Sequence, residues 1–396
     1  MTRWFTQTAA LIAFNIRTLP SRKGSAAAAV VGIAGVVAVL VGVLSIGQGF
    51  ERTMTIGGSD DTAFVMRTGA DSEMTSILGR EEAKIISEAP GIARAHGHAL
   101  VSPELFVMVN LPKRSTGTDA NVPMRGVEQQ AFDVRPELHV TEGRMFGWGK
   151  NEVIVGRAAL GQFSGTNVGS ELLFGQNRWK VVGIFDADGS INESEIWADA
   201  SVLAPAYRRE SSYQTAVVKL ASPGNFQTFK DALTSDPRVN VKIQREKEYY
   251  AAQSQTLVKI VNFLAGIITT LMGLGAIFGA LNTMYTAVSA RAREIATLEA
   301  IGFSGSPILV SVLIESMLLA VIGGTIGALG AWLAFDGFRA ATLNWQTFSQ
   351  VAFSFDVNAA LLIRGIVTAA FIGLIGGLLP AIRAARMPVA VSLRER

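Results

Sequence analysis

The chain has 396 residues, with 35 Lys+Arg against 32 Asp+Glu; 49% of it is hydrophobic and only 17% is charged. Soluble domains carry roughly 25% charge, so this composition excludes an ordinary cytosolic protein, and its apolarity excludes intrinsic disorder. The small basic excess is spread over a long chain rather than gathered in a stripe, so no nucleic-acid partner is expected; with no cysteine, disulfides and thiolate chemistry are excluded too.

Residues 1–25 form an N-terminal segment whose charges, Arg3, Arg17, Arg22 and Lys23, are all positive. The chain is then uncharged from Ala26 to Ile46, long enough to cross a bilayer core as a helix. This run (26–46) exceeds a signal-peptide core and precedes no small-x-small cleavage site, so it reads as a retained anchor.

Residues 47–259 are mixed. Strands are expected at Thr62–Thr68, Leu105–Asn110, Glu152–Val155, Glu171–Phe174, Trp179–Phe185, Ala216–Leu220 and Val239–Ile243. Helices are expected at Glu81–Ala89, closed by Pro90-Gly91, and at Phe226–Leu233. Lys113–Asn121 and Asp186–Asn192 are Gly/Pro/Asp-rich and read as loops. This is an α+β pattern. Gln244–Gln255 is polar and helix-prone and runs straight into the next apolar run, so residues 244–259 are expected to form a helical stalk.

The second span (260–287) lies in the longest uncharged run, Ile260–Ala290, and Gly266, Gly273, Gly275 and Gly279 would let another helix approach closely. Residues 288–306 form a loop holding Arg291, Arg293, Glu294 and Glu299. The third span (307–335) carries a single acid, Glu315, which reads as a carboxylate near the interface hydrogen-bonded to a neighbouring helix rather than a proton relay. A short loop (336–356) leads to the fourth span (357–382), whose Arg364 can snorkel, and a tail (383–396) bears Arg383, Arg386, Arg394 and Arg396. Further small-residue pairs stand at Gly323/Gly327 and Gly373/Gly377. The Lys/Arg-rich segments are the two terminal ones and the 288–306 loop, which places both termini in the cytoplasm and 47–259 outside. The fold class is thus a polytopic α-helical membrane protein with four transmembrane helices and a large α+β extracytoplasmic domain inserted between the first and second.

Catalytic patterns are missing. The one Gly-Lys pair, Gly149-Lys150, is followed by Asn151, so there is no P-loop. Gly302-Phe303-Ser304-Gly305-Ser306 falls short of a nucleophile elbow. His96 and His98 would share a face of a strand, but zinc needs three or four ligands, and they read as a surface pair.

The run from Asn282-Thr283-Met284 through Arg291-Ala292-Arg293-Glu294-Ile295 to Ala300-Ile301-Gly302 resembles the cytoplasmic loop of FtsX-like ABC permeases, with Ala296 where glycine is usual. Glu315 with Gly323-Gly324 and Gly327 resembles their third span, and Pro380-Ala381, Ala384-Ala385 and Pro388 their ending. Asn15–Leu19 and Ser45–Gly49 resemble the ends of their first span. Glu142–Phe146, Val153–Gly156 and Val181–Phe185 resemble the MacB-type periplasmic core. The resemblance covers nearly the whole chain. It implies a bacterial inner-membrane permease subunit, itself not an enzyme, that pairs with a second copy or close homologue and with two ABC ATPase subunits carrying ATP and Mg. It implies that Arg291, Arg293, Glu294, Ile295, Leu298, Glu299 and Gly302 couple to the ATPase. It also implies a role in export or extraction by mechanotransmission, with a periplasmic membrane-fusion adaptor in the efflux case. A signal relay to an external partner such as a cell-wall hydrolase, and lipoprotein release, are the alternatives; a large outer core favours export or extraction.

Overall fold

The computed structural model describes residues 2–18, 23–174, 177–210 and 212–387. The expected motif residue Pro388 and the charges Arg22, Arg394 and Arg396 lie outside the described residues, as does Leu19. The chain forms two compact units: a helical one made of Met1–Gln48, Lys259–Phe338 and Phe355–Arg396, and a second made of Gly49–Val258 and Arg339–Ser354.

Among the described residues, four helices are long and apolar enough to cross a membrane: Ala26–Thr55, Glu246–Ala290, Gly305–Phe335 and Ala359–Ala385. The first belongs to a helix that starts at Lys23 and runs past Ile46 to Thr55, because Gly47-Gln48-Gly49 does not break it. A further helix, Thr2–Thr18, occupies the segment expected to be a tail. The fourth is capped by Asn358, whose Oδ1 accepts the Leu361 N–H at 3.0 Å.

Small residues make the helical packing possible. A Cβ on Gly323 would lie 2.7 Å from the Val30 carbonyl oxygen, one on Gly324 would lie 2.5 Å from the Ala369 methyl, and one on Gly377 would lie 2.6 Å from Ser316 Cβ. The first, third and fourth long helices therefore meet backbone to backbone, with Val37, Val41, Ala320, Ala328, Ala369 and Ile372 filling the core between them. Ser316 Oγ donates to the Gly373 carbonyl at 2.7 Å.

The second unit is built on one ten-stranded mixed sheet. Its order is Val241–Arg245, Thr62–Arg67, Thr215–Lys219, Val101–Pro112, Asp119–Val127, Ile196–Asp199, Glu152–Gly156, Asn177–Asp186 and His139–Gly143, with Glu171–Phe174 paired off the path to Asn177–Asp186. The long Val101–Pro112 strand serves two cores. On one side Val65 and Val218 of the sheet pack against Ile86 of the Arg80–Glu88 helix and Phe229 of the Phe226–Thr234 helix. On the other, Leu105, Val107, Phe163, Trp179 and Ile196 pack together.

Three local expectations change. Lys113–Asn121 is not all loop: from Asp119 it begins a strand registered Leu105↔Gly126 through Pro112↔Asp119. Gln244 pairs with Phe64 and Arg245 with Ala63 as strand, so the stalk helix starts at Glu246. His96 sits in a turn at φ 50°, so the two histidines do not share a strand face. The 336–356 loop contains a hairpin, Arg339–Leu343 paired with Gln350–Ser354, that belongs to the second unit. There Asn344 Nδ2 donates to Gln253 Oε1 at 2.8 Å and the Ala352 N–H to Ser194 Oγ at 3.1 Å.

Candidate functional site

The loop after the second long helix folds into a short helix, Ala292–Ala300, stopped by Gly302 at φ +100°. Arg291, just before it, turns inward. Its Nε lies 3.1 Å from Glu294, its Nη1 lies 3.4 Å from Glu315, and its Nη2 donates to Asn15 Oδ1. Asn15 in turn donates to Ser311 Oγ at 3.3 Å. Glu315 is therefore an ion-pair partner for the loop, and three chain segments meet at one guanidinium. Gln7 Nε2 donates to the Gly302 carbonyl at 3.4 Å and Trp4 Nε1 to Ser306 Oγ at 3.2 Å, so the N-terminal helix also holds the far end of the loop.

Ile295, one of the residues the resemblance assigns to ATPase coupling, is buried within the helical unit against Leu11, Met284, Val288 and Val312, and Leu298 packs on the same cluster. Arg291 is likewise almost fully buried. The short helix is amphipathic, and its apolar face is used inside the chain. What it leaves open is Arg293, Glu294, Thr297, Ile301 and Gly302, with Glu299 half-buried and its carboxyl pushed upward by desolvation. Ile301, 70% exposed, is the apolar side chain presented outward. Its place two turns past Glu294 could have flagged it, but the loop reading gave no face.

The four glycines of the second long helix differ from those of the third and fourth. Among the described residues nothing comes within 4 Å of a Cβ placed on Gly266, Gly275 or Gly279, and Gly273 meets Ile372 at 3.7 Å. Only 17% of this helix's most apolar stretch is buried within the chain, against 44–50% for the other three.

The second unit holds a feature that sequence reasoning did not find. Arg125 is wholly buried among three carboxylates: Nη1 lies 2.6 Å from Glu73 and 2.7 Å from Glu104, and Nε lies 2.7 Å from Glu195. Arg135 donates to Glu104 at 2.5 Å and stands 3.6 Å from Glu246, the first residue of the long helix. Trp197 Nε1 donates to Glu195 at 2.8 Å. Burial works against the charge on both arginines, but the surrounding carboxylates outweigh it and hold both guanidiniums firmly protonated. Burial likewise pushes the Glu104 carboxyl up, and its two arginines more than reverse this. For Glu73, burial wins over Arg125 and the net direction is up. Glu246, with one distant arginine, is pushed up by burial to about 7.

Four spanning-length helices, an inward-pinned loop and a large mixed α/β unit define a polytopic membrane protein whose soluble part exceeds its loops. Residues 26–236 match the MacB-like periplasmic core domain and residues 266–389 the FtsX-like permease C-terminal domain. The chain belongs to the MacB/FtsX-like ABC permease family. It is 27% identical to the macrolide export ATP-binding/permease protein MacB 1/2 of Paracoccus denitrificans, over 92% of this chain and 55% of that protein. It is 25% identical to the macrolide export ATP-binding/permease protein MacB of Neisseria meningitidis serogroup A, over 96% of this chain and 58% of that protein. The chain thus spans little more than half the length of these relatives. Among solved structures, the periplasmic region of MacB from Actinobacillus actinomycetemcomitans matches at 16% identity and a TM-score of 0.37, over 52% of this chain and 95% of that one.

Proposed function

We propose that this chain is the membrane subunit of a MacB/FtsX-type ABC transporter. It sits in the bacterial inner membrane with both termini cytoplasmic and the Gly49–Val258 unit outside. ATP and Mg act on two copies of a partner ATPase, and the chain converts their closure into movement of its outer unit. The observation that carries this reading is the single helix Glu246–Ala290, unbroken for 45 residues, which ends one residue before the pinned loop at Arg291. Such a helix is about 68 Å long at 1.5 Å per residue, more than twice a bilayer core. A displacement at one end is therefore delivered at the other.

The boundaries 1–25, 26–46, 47–259, 260–287, 288–306, 307–335, 336–356, 357–382 and 383–396 mark the alternation of cytoplasm, membrane and exterior in this scheme. The open glycine face of the second long helix suits a second copy or close homologue. Export or extraction of a substrate fits the macrolide export for which the MacB relatives are named, and a membrane-fusion adaptor would then be recruited outside. The large two-core outer unit gives more surface for substrate than a signal relay to a hydrolase needs; lipoprotein release shares the same mechanics.

On the cytoplasmic side, Glu294, Thr297 and Ile301 form the coupling surface, with Arg293 and Glu299 beside them and Gly302 fixing the helix end. Arg291, Ile295 and Leu298 hold that helix from within. Purification of the chain from its own membranes should bring down a P-loop ATPase. Ile301→Glu, which places a charge at an exposed site, should abolish that association while leaving membrane insertion unchanged. Undiminished recovery of the ATPase with Ile301→Glu and with Glu294→Lys would remove this surface from the proposal.

A further inference from the structure

The buried charges of the second unit do not balance. Glu73, Glu104, Glu195 and Glu246 face only Arg125 and Arg135, and all six residues are at most 2% exposed. Water cannot screen the excess, and burying an uncompensated carboxylate is costly enough that such a group takes up a proton instead. The contact distances say where. Arg125 and Arg135 hold Glu73, Glu104 and Glu195 at 2.5–2.7 Å, whereas Glu246 lies at 3.6 Å from Arg135. Arg135 Nε, the atom nearest Glu246, makes no hydrogen bond, and neither does the buried Tyr250 hydroxyl in the next turn of the same helix. The loosest ion pair of the cluster is thus the one it makes with the long helix, to which the Glu73 N–H also donates, at the Tyr249 hydroxyl, over 3.2 Å.

We propose that the cluster is a proton-operated clasp, in which Glu246 takes a proton from solvent to seat the first turn of the long helix on the sheet and releases it to let that turn go. With the proton on, the carboxyl is neutral and its burial leaves no bare charge in the first turn of a helix whose Tyr249 stacks on Phe64 at 4.5 Å and whose Tyr250 meets that ring edge-on at 5.9 Å. With the proton off, its negative charge stands near Glu104 and Glu137, and Arg135 and Arg125 do not compensate it fully. The dipole at the helix start favours an anion there and opposes the effect, but burial is the larger influence. The sign follows. A carboxyl held up to about 7 when seated, and at the ordinary 4.5 when the turn is open, favours the seated form at low pH. The preference declines as pH rises from about 4.5 to about 7 and is gone above that.

The inference does not rest on the transport reading, and its test needs neither ATPase nor substrate. The full chain in lipid nanodiscs is followed by hydrogen–deuterium exchange at pH 5.5 and pH 8, with intrinsic rates corrected. Peptides covering 246–258 should lose protection at least tenfold between the two pH values. Glu246→Gln, a neutral isostere of the protonated form, should hold the same protection at both. Glu137→Gln, at a half-buried neighbouring position, should leave a smaller loss than the unaltered chain because one repelling carboxylate is gone. A protection factor that does not change with pH in the unaltered chain would overturn the clasp. So would a pH-dependent loss that persists in Glu246→Gln, or one that Glu137→Gln leaves at full size.

Discussion

Replacing Arg125 with methionine removes five hydrogen bonds at once: two to Glu73, one to Glu104 and two to Glu195. The aliphatic stem is kept, so the volume change is small. What remains is a set of carboxylates, none exposed enough to recover water, facing Arg135 alone. Breaking a buried pair by deleting one partner costs about 3–5 kcal/mol, against a total stability of roughly 5–15 kcal/mol for a typical domain. The second unit should therefore be partly unfolded or strongly destabilised at pH 8. Lowering the pH should repair it, because each stranded carboxylate can take up a proton. Groups whose native pKa lies above the unfolded value add stability at low pH and lose it as pH rises. One such carboxylate steepens the loss by up to about 2.7 kcal/mol between pH 5 and pH 7. Trp197 bonds directly to Glu195, so indole fluorescence during denaturant unfolding of the full chain in detergent is a suitable readout. The variant Arg125→Met with Glu73→Gln and Glu195→Gln carries no stranded charge at these sites and should regain at least half of the loss. If Arg125→Met alone stays within 1 kcal/mol of the parent at pH 8, or is weaker at pH 5 than at pH 8, the account of the cluster is wrong.

Two further outcomes follow from the helices. Gly275→Leu with Gly279→Leu should leave the single chain folded, since none of the described residues lies within 4 Å of a Cβ at either position, but should weaken pairing of two permeases in cross-linking; Gly323→Leu, at a 2.7 Å approach to the Val30 carbonyl, should instead lower the yield of folded chain, and equal yields for both would undo the distinction. Ala252→Pro lies at an exposed position of the long helix and removes a backbone hydrogen bond at a cost of about 3 kcal/mol; assembly and ATP hydrolysis should survive while transport is lost, and full transport by this variant would show that the helix does not act as a lever.

The sequence was most legible where one physical demand dominates. An uncharged run such as Ile260–Ala290 has few homes other than a bilayer-spanning helix, and the strands expected at Thr62–Thr68 and Glu152–Val155 end within one residue of those found, Thr62–Arg67 and Glu152–Gly156. The Asp119–Val127 strand stayed hidden because Pro123 and Arg125 interrupt its apolar pattern, and both are tolerated only through the register with Val101–Pro112. Arg125 itself reads as a surface residue. Its burial depends on carboxylates far away in the chain, at Glu73, Glu104 and Glu195, and no local pattern carries that information. The direction of the short helix after Arg291 was hidden for a similar reason. Ile295 is apolar whether it faces a partner or its own chain, and only the packing with Leu11 and Val312 decides.

The hairpin Arg339–Ser354 belongs to the same unit as Gly49–Val258 although two spanning-length helices separate them in the chain. During synthesis, that unit cannot be completed when Val258 emerges. Its Ser194 hydroxyl and Gln253 amide must wait for Ala352 and Asn344, which are made only after the second and third long helices. Domains generally close as their last segment arrives, so here closure comes after insertion of most of the membrane part. A chain stalled or cleaved before residue 339 would display a second unit lacking these bonds, distinguishable by quality-control proteases from a finished one. Excising Gly49–Val258 as a soluble fragment would reproduce that unfinished state, and a faithful fragment would carry the hairpin on a linker.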